Sequence, residues 1–442
     1  MTLALRILER LDTIAAADWD ALRADDNPFL SHAFLAGLEQ HGCLRAEWGW
    51  QAQHLGLFED DRLVAAAPLY LKFNSHGEFV FDQAWAHALQ RAGGQYYPKL
   101  LCAVPYSPVV GPRLLAGRGA AAQRLRAPLL RALLEQREIL QLSSAHLLFL
   151  DDADRAACDA ADGVWLARQD IQFHWINRGW PDFEAFLGAL KHKKHKNIRA
   201  ERAQVAACGL RIEWREGASL DDAEWDAVHA LYLDTFDAHG NHAALTPAFF
   251  RHLGAALPGR IWLALARDAT GIVAMALFLS SSTTLYGRYW GSRVPAPGLH
   301  FELCYYQGIE HCLRVGLQRF EPGAQGEHKL ARGFLPTLTH SRHAIAHAGL
   351  RRAVADYLAR EGEQVAAYRD ELLQHAPYAE PPAASVIRVA RSFTGTTARG
   401  ILPARLCTAS ITFSVPWPLA SGARYFTSRA LRKKATGRNR KE

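Results

Sequence analysis

The sequence predicts an α/β (α+β) protein built from two similar units and followed by a chemically different tail. Three observations predict it. Thr283–Pro336 reads as strand, polar loop, helix and short return strand, the alternation expected when helices cover a sheet. LGLFEDDRLVAAAPLYLK and LALARDATGIVAMALFLS then repeat one pattern: an apolar strand, an acidic turn and a second strand ending in large apolar residues. They lie roughly 200 residues apart, a spacing that suits a duplicated domain and not a solenoid. Finally, 442 residues that are 49% hydrophobic and 21% charged suffice for two or three globular domains.

Taken in order, residues 1–26 read as a helical lead-in. Asn27-Pro28 is a turn, and Ser31 caps a helix whose apolar face is Phe34, Leu35 and Leu38. His54–Glu59 and Arg62–Phe73 are strands joined by a tight turn at Asp60-Asp61. Arg124–Glu138 is a helix and His146–Leu150 a strand. Leu190–Ile212 carries a basic helix, a glycine and a strand. Ile261–Arg267 and Ile272–Leu279 form the second hairpin, and Thr283–Trp290 is a strand rich in β-branched and aromatic residues. The loop Gly291–Gly298 holds two glycines, two prolines and Arg293. Phe301, Tyr305, Ile309 and Cys312 recur at helical spacing up to a cap at Gly316, and Leu317–Pro322 is a short strand. A polar loop that opens a helix brings backbone N–H groups to where an anion can meet them.

Composition excludes several classes. Met1–Arg10 has no apolar core before a small-residue site, so no signal peptide is expected. No apolar run is long enough to span a membrane. The seven cysteines are scattered and form no CxxC, which points to free thiols in a reducing cytoplasm and to no metal site. His239 and His242 lack partners at metal spacing and read as a polar loop. The net charge of +7 is misleading. From Pro382 to Glu442 there are twelve Lys/Arg and one acidic residue, so the other 381 residues carry 39 basic and 43 acidic side chains. The body is slightly acidic, which argues against DNA binding and disfavours a broad tRNA surface.

Several segments carry a resemblance to a known family. YWGS, HFELCYYQGIEHC, LQRFEPGA and GEHKLARGF resemble the acyl-transferring half of FemAB-like N-acyltransferases, within the GNAT superfamily. LKHKKHKNIRAERAQVAACGLRI at Leu190–Ile212 looks like the family's basic segment. YYPKLLCAVPYSPVVGPRLL at Tyr96–Leu115 resembles a block of its bacterial N-acyltransferase branch. The matches span residues 27 to 378. The resemblance implies tandem GNAT-like domains, 1–165 and 166–378, each a mixed, mostly antiparallel sheet flanked by helices. It also implies transfer of an acyl or aminoacyl group to an amine.

Such a transfer needs a base for the amine proton and donors for the oxyanion. Glu321, Glu327 and His328 are the candidate bases. Lys329 or Arg332, just before Gly333-Phe334, matches the family's basic residue that supports the acyl donor. Arg288 and Tyr289 alternate on a strand, so one of them faces inward. Trp290 either walls an apolar channel or belongs to the core. Lys193, Lys194, Lys196, Arg199 and Arg202 form a basic helix face, either an anion site or a solvated surface. Arg293 and Gly298 stand on the loop before the helix, where the usual acetyl-CoA signature is absent. Cys304 reads as a buried thiol. No cofactor is expected to be resident. Acyl-CoA or another activated donor is a co-substrate, and aminoacyl-tRNA a disfavoured one. The acceptor is a cell-wall precursor or a lipid-like amine, suited by Tyr96, Tyr97, Tyr106 and Trp290, with peripheral membrane contact among the expectations. The rival reading is a non-catalytic protein that binds peptidoglycan fragments.

After Pro382 no acidic residue appears before Glu442, and Ser, Thr, Arg, Ala and Pro dominate. Residues 379–442 therefore read as a basic disordered tail or as translation from a shifted reading frame, the second being favoured. Truncation after residue 380 is expected to leave the melting temperature unchanged. A scanning-calorimetry fall of many degrees would overturn this.

Overall fold

The computed structural model describes residues 3–161, 163–324 and 326–379, so the expectations for the tail after Glu380 lie outside the described residues. The first unit contains β1 (Leu3–Leu8), α1 (Ala16–Asp20), α2 (His32–Gln40), β2 (Trp50–Ala52), β3 (His54–Glu59), β4 (Arg62–Ala67) and β5 (Leu69–Lys72). It continues with α3 (Gln83–Arg91), β6 (Lys99–Cys102), α4 (Ala120–Ile139), β7 (Ser144–Leu147) and α5 (Asp152–Asp159). The second unit contains β8 (Leu166–Ile176), α6 (Phe183–Gly188), α7 (His192–Ala206), β9 (Arg211–Glu216), α8 (Asp222–Ala238), α9 (Pro247–Ala256), β10 (Ile261–Asp268), β11 (Gly271–Ser280) and β12 (Thr284–Ser292). Then come α10 (Leu299–Phe301), a π-turn at Glu302–Tyr306, α11 (Gln307–Val315), β13 (Arg319–Glu321), a 3-10 helix at Glu327–Arg332, β14 (Leu335–Ile345) and α12 (Ala348–Gln374).

Among the described residues the strands form a three-stranded sheet, β1-β3-β4, and an eleven-stranded sheet, β2-β5-β6-β7-β14-β8-β13-β12-β11-β10-β9. The architecture is α/β, with two GNAT-like units in tandem. Each contains an antiparallel hairpin, β3/β4 or β10/β11. Each then has a parallel pair bridged by helix, β6/β7 across α4 and β12/β13 across α10–α11. The next strand is antiparallel in both, β14 beside β7 and β8 beside β13. β14 lies in the 166–378 range yet pairs with β7 from the 1–165 range, so both ranges share one sheet.

Local chemistry explains most elements. The Ser31 side chain accepts from the Phe34 N–H at the start of α2, and Phe34, Leu35 and Leu38 are buried as expected. Asp60 and Asp61 both hold positive φ, 48° and 65°, which suits a two-residue hairpin turn. Gly316 ends α11 in the left-handed conformation, φ 77°. Two expectations change. The lead-in begins as a strand, because Leu3 to Leu8 pair in register with Glu59 to His54, and is helical only in a 3-10 turn at Leu11–Thr13 and in α1. The run Arg62–Phe73 is two strands in different sheets, because Pro68 has no N–H to continue the ladder.

One face of β10–β12 packs with α2, α8 and α9 around Phe34, Phe249, Leu263, Leu277 and Tyr286. The other packs α6, α7 and the α10–α11 helices around Phe186, Tyr306, Ile309 and Phe320. At Gly291 strand β12 approaches α8 so closely that an added Cβ would stand 2.2 Å from the Leu231 carbonyl oxygen. Gly291→Ala must push a strand from a helix backbone, and overpacking of this kind costs about 1–3 kcal/mol. Denaturant unfolding should show that loss.

Candidate active site

The second unit's parallel pair is hydrogen-bonded only at Thr284↔Arg319, Leu285↔Phe320 and Tyr286↔Glu321. Beyond it β13 leaves through Pro322-Gly323 while β12 runs on to Ser292, so the sheet opens there. Gly287 permits the close approach: an added Cβ would lie 3.2 Å from the Pro322 Cα. The next residue is extra. Leu277 pairs with Tyr289 and Phe278 with Gly287, so Arg288 forms a β-bulge. The bulge corrects the expected alternation. Arg288 lies 5.5 Å from the Tyr289 ring centroid and 5.7 Å from that of Phe29, while Tyr289 packs on Tyr232 and Phe250. Both side chains therefore lie on the α8 side, and Tyr289 belongs to the core.

Glu321 is the last residue of β13. Phe320 packs on the helix face, so Glu321 turns to the opposite face, where its charge acts on Tyr286 and Arg288. It is buried, its Oε2 has no hydrogen-bond partner, and Arg319 Nη1 reaches Oε1 at 3.4 Å. Burial pushes its pKa up to about 7, against the opposing pull of Arg319, the Val110 amide and Arg288. Arg288 donates through Nη2 to the Tyr106 carbonyl, and its Nε is buried without a partner. One orphaned acceptor and one orphaned donor thus stand at one opening.

The wall facing them comes from the first unit, in the loop from Ala103 to Pro112. Gln172 holds the Pro108 carbonyl at 2.9 Å. Buried Arg113 holds the carbonyls of Val109, Gly111 and Pro112. His174, two residues from Gln172 on β8, is buried; burial, Arg319 and Lys329 lower its pKa to about 3, so it is neutral. Sequence reasoning flagged the block Tyr96–Leu115 and offered its tyrosines to an apolar acceptor, but it missed Phe29, Val110, Gln172 and His174. The block resemblance was the available signal for the loop; His174 and Gln172 sit in an ordinary strand pattern.

The first unit's equivalent opening is plugged. Its parallel pair runs Leu100↔Ala145, Leu101↔His146 and Cys102↔Leu147, which puts Leu147 where Glu321 stands. Leu148 N–H bonds the Cys102 carbonyl at 3.1 Å, and Trp50, Tyr70, Leu101, Ala103, Leu148 and Phe149 fill the space.

On the helix face of the second opening, Lys329 is buried and donates to the Gly323 carbonyl at 2.8 Å; burial lowers its pKa to about 7. Burial also keeps the neighbouring Cys304 thiol protonated. His328 bonds the Tyr305 hydroxyl at 2.8 Å, and burial, Lys329 and Arg332 hold its pKa near 4. Trp290 packs edge-on against His300 at 5.2 Å on this side. The π-turn presents Cys304, Tyr305 and Tyr306 here, a helix irregularity found often at functional sites.

The remaining candidates are placed differently from the expectation. Arg332 is buried, not on a solvated loop. It donates to Glu201 at 2.6 Å, to the Tyr306 hydroxyl at 3.0 Å and to the His328 carbonyl at 2.8 Å, and stacks 3.3 Å over Phe301. Glu327 is exposed and accepts from Tyr368 of α12. Arg202 points inward to Glu302 at 3.0 Å and Glu310 at 2.6 Å, and Arg199 pairs with Glu184 at the surface. Lys193, Lys194 and Lys196 make no ion pair among the described residues. Arg293 pairs with Asp234. A Cβ added at Gly298 would stand 3.3 Å from the Glu201 carbonyl oxygen, so α7 lies over the start of α10 instead of leaving it open to an anion. A groove of about 480 Å³ beside Arg202, Glu302 and Gln307 is lined by charges already paired with one another. Among the described residues no group of three or more His, Cys, Asp or Glu can hold a metal ion, and no helix is long and apolar enough to cross a membrane.

Two units in one mixed sheet, each with a parallel pair bridged by helix, define a tandem GNAT-like fold. The chain belongs to the FemAB-like family, described as peptidoglycan biosynthesis/recognition, which it matches over residues 10–380. It is similar to the crystal structure of FemX at 10% identity, covering 77% of this chain and 98% of that one, TM-score 0.47. It is also similar to the C-terminal domain of a putative lysylphosphatidylglycerol synthetase from Agrobacterium fabrum at 13% identity, covering 77% and 94%, TM-score 0.45. A tandem GNAT protein of the clavulanic acid pathway is similar at 14% identity, covering 78% and 99%, TM-score 0.41. No curated protein matches the sequence.

Removing Arg332 takes the cation from the Glu201 carboxylate and leaves it the Tyr306 hydroxyl. Arg332→Ala is expected to cost about 3 kcal/mol in denaturant unfolding, the scale for breaking a largely buried pair. Glu327→Gln should leave stability within about 0.5 kcal/mol, as for an exposed side chain.

Proposed function

We propose that the protein transfers an acyl or aminoacyl group from an activated donor to an amine, with the reaction centred on the β12/β13 opening. The observation that carries this reading is Glu321: buried, with an unpartnered oxygen and a pKa near 7, at the end of the parallel pair. A carboxylate of that kind can take a proton from an ammonium at neutral pH.

The steps follow from the two faces. The amine approaches from the Glu321 side, past Tyr106 and Phe29. Glu321 takes its proton, and the free amine attacks the donor carbonyl presented from the helix face. Arg288 Nε–H is an unused donor for the oxygen that becomes negative. Glu321 releases that first proton to solvent and takes the second from the attacking nitrogen; collapse then forms the amide, breaks the bond to the thiol or alcohol leaving group, and passes the second proton from Glu321 to it. Lys329 and the aromatic cluster of Trp290, His300, Phe301 and Tyr305 face the donor. Acyl-CoA or another thioester is the favoured donor, since the body's balance of 39 basic and 43 acidic residues suits tRNA poorly. A cell-wall precursor or the amine of a lipid-like base is the acceptor. The two-unit division at 1–165 and 166–378 and a cytoplasmic site of action complete this reading.

The family's description as biosynthesis/recognition favours one rival: binding of peptidoglycan fragments without turnover. Thioester-consumption assays with candidate amines separate the two, since a pure binder consumes nothing.

The sign of the pH dependence follows from the raised carboxyl. Glu321 is protonated and inactive below pH about 7 and ionised above it, so kcat/KM should rise through pH 7 and then level off. Glu321→Gln should lower turnover by about 10²–10⁴-fold and remove that inflection. A pH-rate profile on both proteins checks this. An unchanged inflection in the variant would assign the base elsewhere.

A further inference from the structure

The segment from Phe73 to Asp82 is built inside out. Its polar side chains Ser75, Glu78 and Asp82 are buried. Fully buried Lys99 holds them: Nζ donates to Glu78 at 2.8 Å, to Ser75 Oγ at 3.1 Å and to the Asp82 carboxylate, which also accepts from the Tyr96 hydroxyl at 2.7 Å. Three phenylalanines of the same segment point the other way. Phe73, Phe79 and Phe81 are 40%, 37% and 55% exposed. Surface loops ordinarily do the reverse. Phe79 also holds a left-handed backbone, φ 62°, uncommon for an aromatic residue, and its neighbour Glu78 is fastened inward. The inward ion cluster makes a rigid base and the rings stand out from it.

The charge around the rings is one-sided. Between Phe73 and Pro98 the acidic residues are Glu78 and Asp82, both neutralised beneath the surface by Lys99, while His76, His87 and Arg91 are exposed. At the edge, Arg168 donates to the Phe81 carbonyl at 2.7 Å and pairs with Glu361, and Asp170 is exposed beside it. The segment is also joined to the opening in the sheet. Tyr106 N–H bonds the Gly77 carbonyl at 3.2 Å, and the Tyr106 carbonyl accepts from Arg288. A surface that held the rings would therefore hold the loop that walls Glu321.

We propose that Phe73, Phe79 and Phe81 are a membrane-docking surface that inserts into the interface of an anionic lipid bilayer. The area decides against a second copy as the occupant. Taking about 200 Å² for a whole ring, the exposed parts amount to roughly 250 Å², far from the ~800 Å² that each side of a stable protein interface buries. Separate aromatic rings among exposed His76, His87 and Arg91, with Asp170 only at the edge, suit the boundary between headgroups and acyl chains instead. The surface stands whether or not the transfer chemistry does, because it rests on different residues.

Flotation of the full-length protein with phosphatidylglycerol/phosphatidylcholine vesicles and with phosphatidylcholine alone tests it. Salt of about 0.5 M, where screening acts within roughly 4–5 Å, suppresses binding through the basic residues after Pro382. The parent should float with the anionic vesicles. Phe79→Ser/Phe81→Ser should lower its partition at least about tenfold with an unchanged melting temperature. Phe81→Trp should keep binding, and Ile139→Ser, another exposed apolar position, should leave it unaltered. The proposal is overturned by a parent that does not float, by a double variant that floats equally, or by equal loss in Ile139→Ser. It is equally overturned if sedimentation velocity shows the double variant turning a dimer into a monomer, which would assign the rings to a second copy.

Discussion

The antiparallel ladder between β8 and β14 is the constraint on which the rest depends. It runs from Leu335↔His174 to His343↔Leu166, and it joins strands from near opposite ends of the 166–378 range. β14 then continues onto β7 and β8 onto β13, so the parallel pair of each unit is anchored to the same central ladder. The consequence is geometric. The loop after β6 is brought beside the opening after β13, and Gln172 on β8 holds that loop by the Pro108 carbonyl. A site lined by both units follows from backbone pairing, before any catalytic side chain is considered.

Duplication produced two openings of the same kind, and side-chain chemistry made them unequal. The first is packed with Leu148, Phe149 and Trp50 and closed by a backbone hydrogen bond. The second keeps a carboxylate and a guanidinium with unused hydrogen-bonding atoms away from water. Such groups destabilise a folded protein unless something uses them. They stand together beside a glycine and a bulge that hold the sheet open, which is why the proposed reaction is centred there. The strain is local, and the fold around it is well supported by apolar cores on both faces of the sheet.

A second network steadies the helix face. Glu201 and Arg202 on α7 reach Arg332, Tyr306, Glu302 and Glu310, so the basic helix is fastened to the π-turn and to the 3-10 helix that carries Lys329. Of the five basic residues that look like a ligand face in the sequence, Arg202 is thus turned inward. The ionic contacts position Lys329 and the aromatic cluster, while Lys193, Lys194, Lys196 and the Glu184-paired Arg199 stay on the outer side of the helix.

The sequence by itself determined the class of fold and most of its elements. Period-two and period-3.6 apolar patterns, the Ser31 cap, the Asp60-Asp61 turn and the Gly316 cap are local signals, and local backbone physics obeyed them. It also placed Glu321 on the short strand after the helix and Lys329 in the segment that follows it. Tertiary structure decided the rest. Whether Glu321 or Glu327 is buried depends on what packs over each, and one carboxylate faces the sheet opening while the other meets Tyr368 at the surface. Arg288 and Tyr289 share a side because a bulge, set by pairing with β11, cancels the alternation of the strand. Leu3–Leu8 is a strand because β3 offers an edge to it. His174, Gln172 and Tyr106 reach the site through a ladder between residues more than 150 positions apart, and no local pattern encodes contacts of that range.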